Sequence, residues 1–256
     1  VGLWIDTLLS QSGDQTLGML IWLGTPLAVS LLLRAFAGDG WRDLGLRLNL
    51  RTNVSMYLIS LLLYPATGLI VIGAGALTGN VTLTSRSVAE LLPLFGSFLL
   101  LGIPKNIIEE FAWRGHLAPK LFLLNIDTLA AHVLTGLVWG AWHLPFLGFV
   151  LAYLPEGPPT VVTRFLIGTV AASLVYGEIR LRTDSVWPAV LMHTVGGAFI
   201  ATLLLEAVMT PEMAFLFSPG VEGTLTIAIF TLVGLGLYAR RVSARDVHEP
   251  KEQTQS

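Results

Sequence analysis

The stretch Lys105-Asn106-Ile107-Ile108-Glu109-Glu110-Phe111-Ala112-Trp113-Arg114-Gly115 closes an apolar run that begins near Leu91. An ionisable side chain inside or at the edge of a membrane helix is costly, and it marks a function or a buried pair. On a helix, Glu110 and Arg114 are four apart on one face, where carboxylate and guanidinium can pair, while Glu109 is rotated by roughly 100°. Glu110 is therefore expected to be held by Arg114. Glu109, in a less compensated environment, is expected to be shifted by desolvation towards a general base. An ion pair at the membrane edge remains an equal reading for Glu110 and Arg114. Lys105 and Asn106, one turn earlier, either tune the glutamates or snorkel.

Outside this knot the chain is apolar. Of 256 residues 54% are hydrophobic and 12% charged, and the mean hydropathy is +0.72, far above a soluble domain. The apolar runs suit spanning helices, and the alternation of an outer-membrane barrel is absent, so the expected fold is an all-α polytopic transmembrane bundle. With no cysteine, disulfides, thiolate metal sites and a cysteine nucleophile are excluded. No basic patch suggests nucleic acid; membrane lipid and a peptide or membrane-protein substrate are the expected partners, with the oligomeric state left open. Because the sequence opens on Val1, a processed or truncated start is expected.

In chain order, residues 1–16 read as an amphipathic lead-in, 17–239 as the bundle, and 240–256 as a hydrophilic, disordered tail on the cytoplasmic side. Seven spans are expected at about 17–36, 55–77, 88–108, 129–153, 161–177, 186–205 and 224–238, with an eighth possible within 116–128. Gly38 to Leu48 suits a surface-lying segment, Thr78 to Arg86 a polar loop, and His116 to Leu124 an interfacial or re-entrant piece. Asp127 or Thr128 is the expected cap of the fourth helix. Taken in alternate loops, twelve of the 15 Lys and Arg residues fall on one side, which places the N-terminus outside and the C-terminus inside. The glutamate knot then lies at the cytoplasmic end of the third span, in a plasma membrane of bacterial or archaeal type.

Two histidines lie within later spans. His143 follows Val138-Trp139-Gly140-Ala141-Trp142, with Trp139 one turn earlier on the same face, and His193 stands about two turns into the sixth span. A neutral imidazole both donates and accepts, so Glu109 with His143 and His193 is enough to polarise a water against a carbonyl. His116 and His132 read as interfacial. With the fourth helix starting at Leu129, His143 lies about 21 Å along it, too deep for an edge-placed Glu109. Either that helix starts nearer Gly136, or Glu109 is buried deeper.

Glu109-Glu110-x-x-x-Arg114, an aromatic four residues before His143, and His193 after Asp184-Ser185-Val186-Trp187-Pro188 together resemble the CPBP family of intramembrane proteases, which includes type II CAAX prenyl endopeptidases, bacteriocin-processing and Abi-like proteins. The likeness covers about 91–202. It implies that Glu109 activates water, that His143 works with it, that His193 stabilises the oxyanion, and that Glu110 and Arg114 support the site. Two positions depart from the family pattern. Trp139 stands where Phe is usual, a mild change, and Gly197 stands where an asparagine usually follows the late histidine. Loss of an oxyanion donor typically lowers the rate by a factor of roughly 10² to 10³, with Thr194 as a possible substitute.

No cofactor is expected. If a metal is present, zinc on Glu109, His143 and His193 is the implied set, in keeping with a metalloprotease label, although the His-Glu-x-x-His spacing is absent. The resulting expectation is a glutamate-dependent intramembrane endopeptidase. The alternatives are a non-proteolytic scaffold or immunity protein on the same fold and, third, a proton-coupled transporter, for which the inverted repeats are lacking.

Overall fold

The computed structural model describes residues 5, 6, 8, 9, 16–38, 40–84, 86–145, 147 and 156–248, so the lead-in lies largely outside the described residues. Among the described residues seven long helices carry the fold: α1 (Leu17–Phe36), α2 (Val54–Leu77), α3 (Val88–Phe122), α4 (Thr128–His143), α5 (Pro158–Thr183), α6 (Trp187–Glu206) and α7 (Thr224–His248). The all-α expectation holds, and each predicted span overlaps one of them. All but α4 are long and apolar enough to cross a membrane. The 16 residues of α4 reach about 24 Å, short of a hydrocarbon core of about 30 Å.

The differences from the sequence reading are local. The fourth helix stops at His143 instead of 153, with Leu144 and Pro145 in a turn; residues 146 and 148–155 lie outside the described residues. The first part of the expected disordered tail is helical as far as His248. The loop after α2 holds β1 (Val81–Leu83), which pairs antiparallel with β2 (Ala207–Met209), Val81 opposite Met209 and Leu83 opposite Ala207. Arg86 and Glu206 form an ion pair of 3.1 Å beside this ribbon.

His116 to Leu124 is neither separate nor re-entrant. The third helix continues through a π-turn at Trp113–Leu117 into Ala118–Phe122, and the sequence supplies the reason. Pro119 has no N–H, so the carbonyl four residues earlier, on Gly115, loses its α-helical donor and that of Arg114 its π-helical one. Arg34 Nη2 donates to the Gly115 carbonyl at 2.5 Å, and Arg180 Nε donates to the Arg114 carbonyl at 3.1 Å. Two guanidiniums from other helices thus replace the missing backbone donors directly below the glutamates.

A strap, residues 40–53, closes this end of the bundle. Its Gly45 adopts φ +75°, and a Cβ there would stand 2.8 Å from the Arg180 guanidinium, so glycine is required for both reasons. Gly45 and Leu46 carbonyls accept from Val186 N at 2.9 Å and Trp187 Nε1 at 2.8 Å. Asp43 takes Arg34 at 2.7 Å and Lys120 at 3.2 Å. Burial pushes the Asp43 carboxyl up, but the two cations outweigh it and hold it below its usual range.

The core sits where α5 is wrapped by α3, α4, α6 and α7, around Trp139, Val175, Tyr176, Ile179, Met192 and Phe230. Gly136 and Gly140 let α4 lie directly on α5: a Cβ on Gly136 would come within 2.5 Å of Val170 Cα. Small residues at such a crossing permit close backbone approach, which sets the Trp139–His143 face over the site. On the same face of α4, nearer its N-terminus, His132 is buried instead of interfacial, with Nε2 3.0 Å from Glu178. Glu178 in turn receives Arg241 of α7 at 2.8 Å. His116 is buried as well.

Candidate active site

The structure brings all five predicted site residues together. Glu109, Glu110 and Arg114 are fully buried on α3, and the continuous helix explains how. Glu109 lies thirteen residues before Phe122, about 20 Å from that end, and His143 lies fifteen residues after Thr128, about 22 Å from the adjoining end. The depth conflict in the sequence reading is thereby resolved: α4 starts at Thr128 as read, and Glu109 is deep instead of at an edge.

The two glutamates face different partners. Glu110 Oε1 accepts from Arg114 Nη1 at 3.1 Å and meets His193 Nδ1 at 2.8 Å. The Arg114 guanidinium lies between the Trp139 and Tyr176 rings, 4.3 Å from each centroid, an arrangement that stabilises a desolvated cation. Glu110 is therefore the charge anchor the sequence reading expected, and it also orients His193. A carboxylate only accepts, so His193 Nδ1 carries the proton and Nε2 is left for the cavity.

Glu109 is not the less compensated member. Lys105 Nζ donates to its Oε1 at 2.6 Å, which corrects the premise that burial alone sets its behaviour. Trp139 Nε1 donates to Oε2 at 3.2 Å. The tryptophan is thus more than a mild change from Phe, since it supplies an N–H that Phe lacks. His143 Nε2 stands 4.0 Å from the same Oε2. His143 Nδ1 is 2.9 Å from the Trp139 carbonyl, which can only accept, so Nδ1 bears the proton and Nε2 faces Glu109. A polar separation of 4.0 Å is one a water can bridge.

Next to these groups lies a cavity of about 180 Å³ lined by Tyr64, Trp139, His143, Leu147, Phe165, Thr169, His193, Gly197, Ile200 and Val221. Its wall is mostly apolar, with the two imidazoles as its basic groups. A Cβ on Gly197 would meet nothing within 4 Å. Thr194 does not replace the missing asparagine: it is buried against α3, where its Oγ1 accepts from Asn106 Nδ2 at 3.3 Å, and it does not line the cavity.

The zinc set is not assembled. Among the described residues no three His, Asp or Glu side chains form a metal-holding group. A dication on Glu109 would meet the Lys105 ammonium, while the His193 nitrogen nearest the glutamates is taken by Glu110. These residues do not fit a two-histidine, one-glutamate centre, and no chemistry is routed through one.

Sequence reasoning missed the Trp139 N–H and the guanidiniums of Arg34 and Arg180. Lys105 was legible from its i, i+4 spacing to Glu109; the others act across helices far apart in sequence.

Residues 89–199 match the family model described as Type II CAAX prenyl endopeptidase Rce1-like. That interval holds Glu109, Glu110, Arg114, His143 and His193, and the resemblance to the CPBP family is borne out over it. The matched family is one of proteases, which supports a CAAX-type intramembrane protease and peptidase activity in general. No curated protein gives a significant match to the chain.

Proposed function

We propose that this chain, with its Rce1-like segment, is a multi-pass membrane endopeptidase that cleaves a membrane-associated peptide or protein by glutamate-activated water. The observation that carries this reading is the facing of Glu109 Oε2 and His143 Nε2 across 4.0 Å beside a cavity that also receives His193. A water held between the two acceptors loses a proton to Glu109 as its oxygen bonds to the scissile carbonyl carbon. The carbonyl oxygen becomes an oxyanion, and His193, carrying a proton on Nε2 in its imidazolium form, donates to it. Glu110, pinned by Arg114, balances that imidazolium. The C–N bond then breaks, and the proton held on Glu109 passes to the leaving nitrogen, by way of His143 where the amine lies nearer to it.

The membrane setting has its own support. Among the described residues six helices are long and apolar enough to span, and Arg34, Arg42, Arg47, Arg51, Arg180, Arg182, Arg240 and Arg241 gather at the strap end. By the positive-inside rule that end is cytoplasmic; Glu109 and His143 lie about 20 Å and 22 Å from it, and the cavity beside them runs away from it, towards Leu147, Phe165 and Val221. The cavity's apolar wall favours an apolar side chain of the substrate.

The test is cleavage of a panel of membrane-anchored peptides by the native chain and Glu109→Gln in liposomes, each with and without a chelator. Native cleavage lost in Glu109→Gln and indifferent to chelator is the expected result. Cleavage that survives the substitution overturns the base assignment, chelator sensitivity overturns the metal-free step, and no native cleavage of any peptide favours a scaffold on the same fold.

A further inference from the structure

We infer that Lys105 is a positioning residue for Glu109: its ammonium engages Oε1 and so turns Oε2 to His143 as the oxygen that takes the proton. The inference rests on the proposed hydrolysis and adds a residue to it.

Three observations carry it. Glu109 is fully buried, and Lys105 Nζ lies 2.6 Å from Oε1, so a carboxylate removed from water has its cation within direct contact. A buried carboxylate deprived of its partner is strongly disfavoured. The two oxygens are also occupied differently: Oε1 by the ammonium, Oε2 by the weaker indole donor and facing His143. Finally, Lys105 occupies the midpoint of the 35-residue helix Val88–Phe122, about 26 Å from either end, among outward-facing Leu100, Leu101 and Ile103. Its ammonium turns inward to Glu109, with Asn106 Oδ1 as second acceptor at 3.3 Å.

The absence of cysteine provides a direct test. Lys105→Cys is treated with bromoethylamine, the thiolate displacing bromide to give a thioether that carries an ammonium at nearly the lysine position; the native chain has no thiol to react. Expected is a kcat lowered by about 10²-fold, the scale of a misplaced reacting group, with KM unchanged, and recovery of most of kcat after alkylation. Lys105→Arg, which keeps the cation, should retain more kcat than Lys105→Met, and this pair decides the matter if the cysteine variant does not fold. Native kcat in Lys105→Cys or in Lys105→Met overturns the inference, as does a folded, alkylated protein that stays inactive. A native chain that cleaves nothing overturns the hydrolytic reading itself, and the inference with it.

Discussion

His143 Nε2 stands 4.0 Å from Glu109 Oε2, and both atoms are held there by other groups: His143 through the Trp139 carbonyl, Glu109 through Lys105 and the Trp139 indole. One residue, Trp139, therefore fixes both halves of the proposed acid–base pair, by its backbone on one side and its side chain on the other.

Replacing His143 by Phe keeps an aromatic ring against Trp142, Trp139 and Phe165, whose centroids lie 4.6, 5.8 and 5.7 Å away, while removing both nitrogens. The thermal midpoint in detergent should change little, and kcat should fall by about 10² to 10⁴, the range of general acid–base assistance. Cleavage kinetics beside a melting curve separate the two effects.

Trp139→Phe restores the usual family aromatic but removes the indole donor to Glu109. A hydrogen bond to a charged group contributes about 1.5–3 kcal/mol, so kcat should drop by roughly 10-fold or more. An unchanged kcat in a folded variant would show that the indole N–H is idle.

Glu110 and Arg114 form a fully buried pair. Removing one partner leaves an uncompensated charge and costs about 3–5 kcal/mol. Glu110→Gln and Arg114→Met should each be strongly destabilised, and the double variant less so than their sum. Denaturant unfolding of the four forms gives the coupling; additive losses would mean that the pair is not coupled in the folded protein.

Gly197→Asn should fold normally, because open space surrounds the position of its Cβ. If the missing amide limits oxyanion stabilisation, kcat should rise, by up to about 10²-fold. Cleavage kinetics of the two proteins check this, and a raised KM with no gain in kcat would show that the open cavity serves the substrate instead.

Asp43 links the strap to α1 and to the end of α3, and its carboxyl is held below the ordinary value of 3.8. Its contribution is present above that value and disappears as the pH falls through the lower folded-state value. Asp43→Asn should accordingly open the strap to hydrogen exchange at neutral pH, with the gap from native narrowing only below about pH 3.8. A gap that persists unchanged in strong acid would remove Asp43 from the latch.

The amino-acid sequence by itself determined the membrane setting, the seven helices and the candidate site residues, because hydropathy, helical spacing and the glutamate and histidine motifs are local properties of the chain. Even the π-turn is written locally, in the N–H that Pro119 lacks. Tertiary structure alone decided how deep the site lies and who partners whom. The helix carrying Glu109 does not end at Arg114, since Arg34 and Arg180 from distant helices satisfy the carbonyls at the turn and allow it to continue. Compensation of Glu109 was likewise settled in space: Lys105 was visible one turn away, but whether it turned to lipid, to an interface or inward depended on the packing of α3 against α4 and α6. Burial couples charges across helices, and sequence spacing carries no record of that coupling.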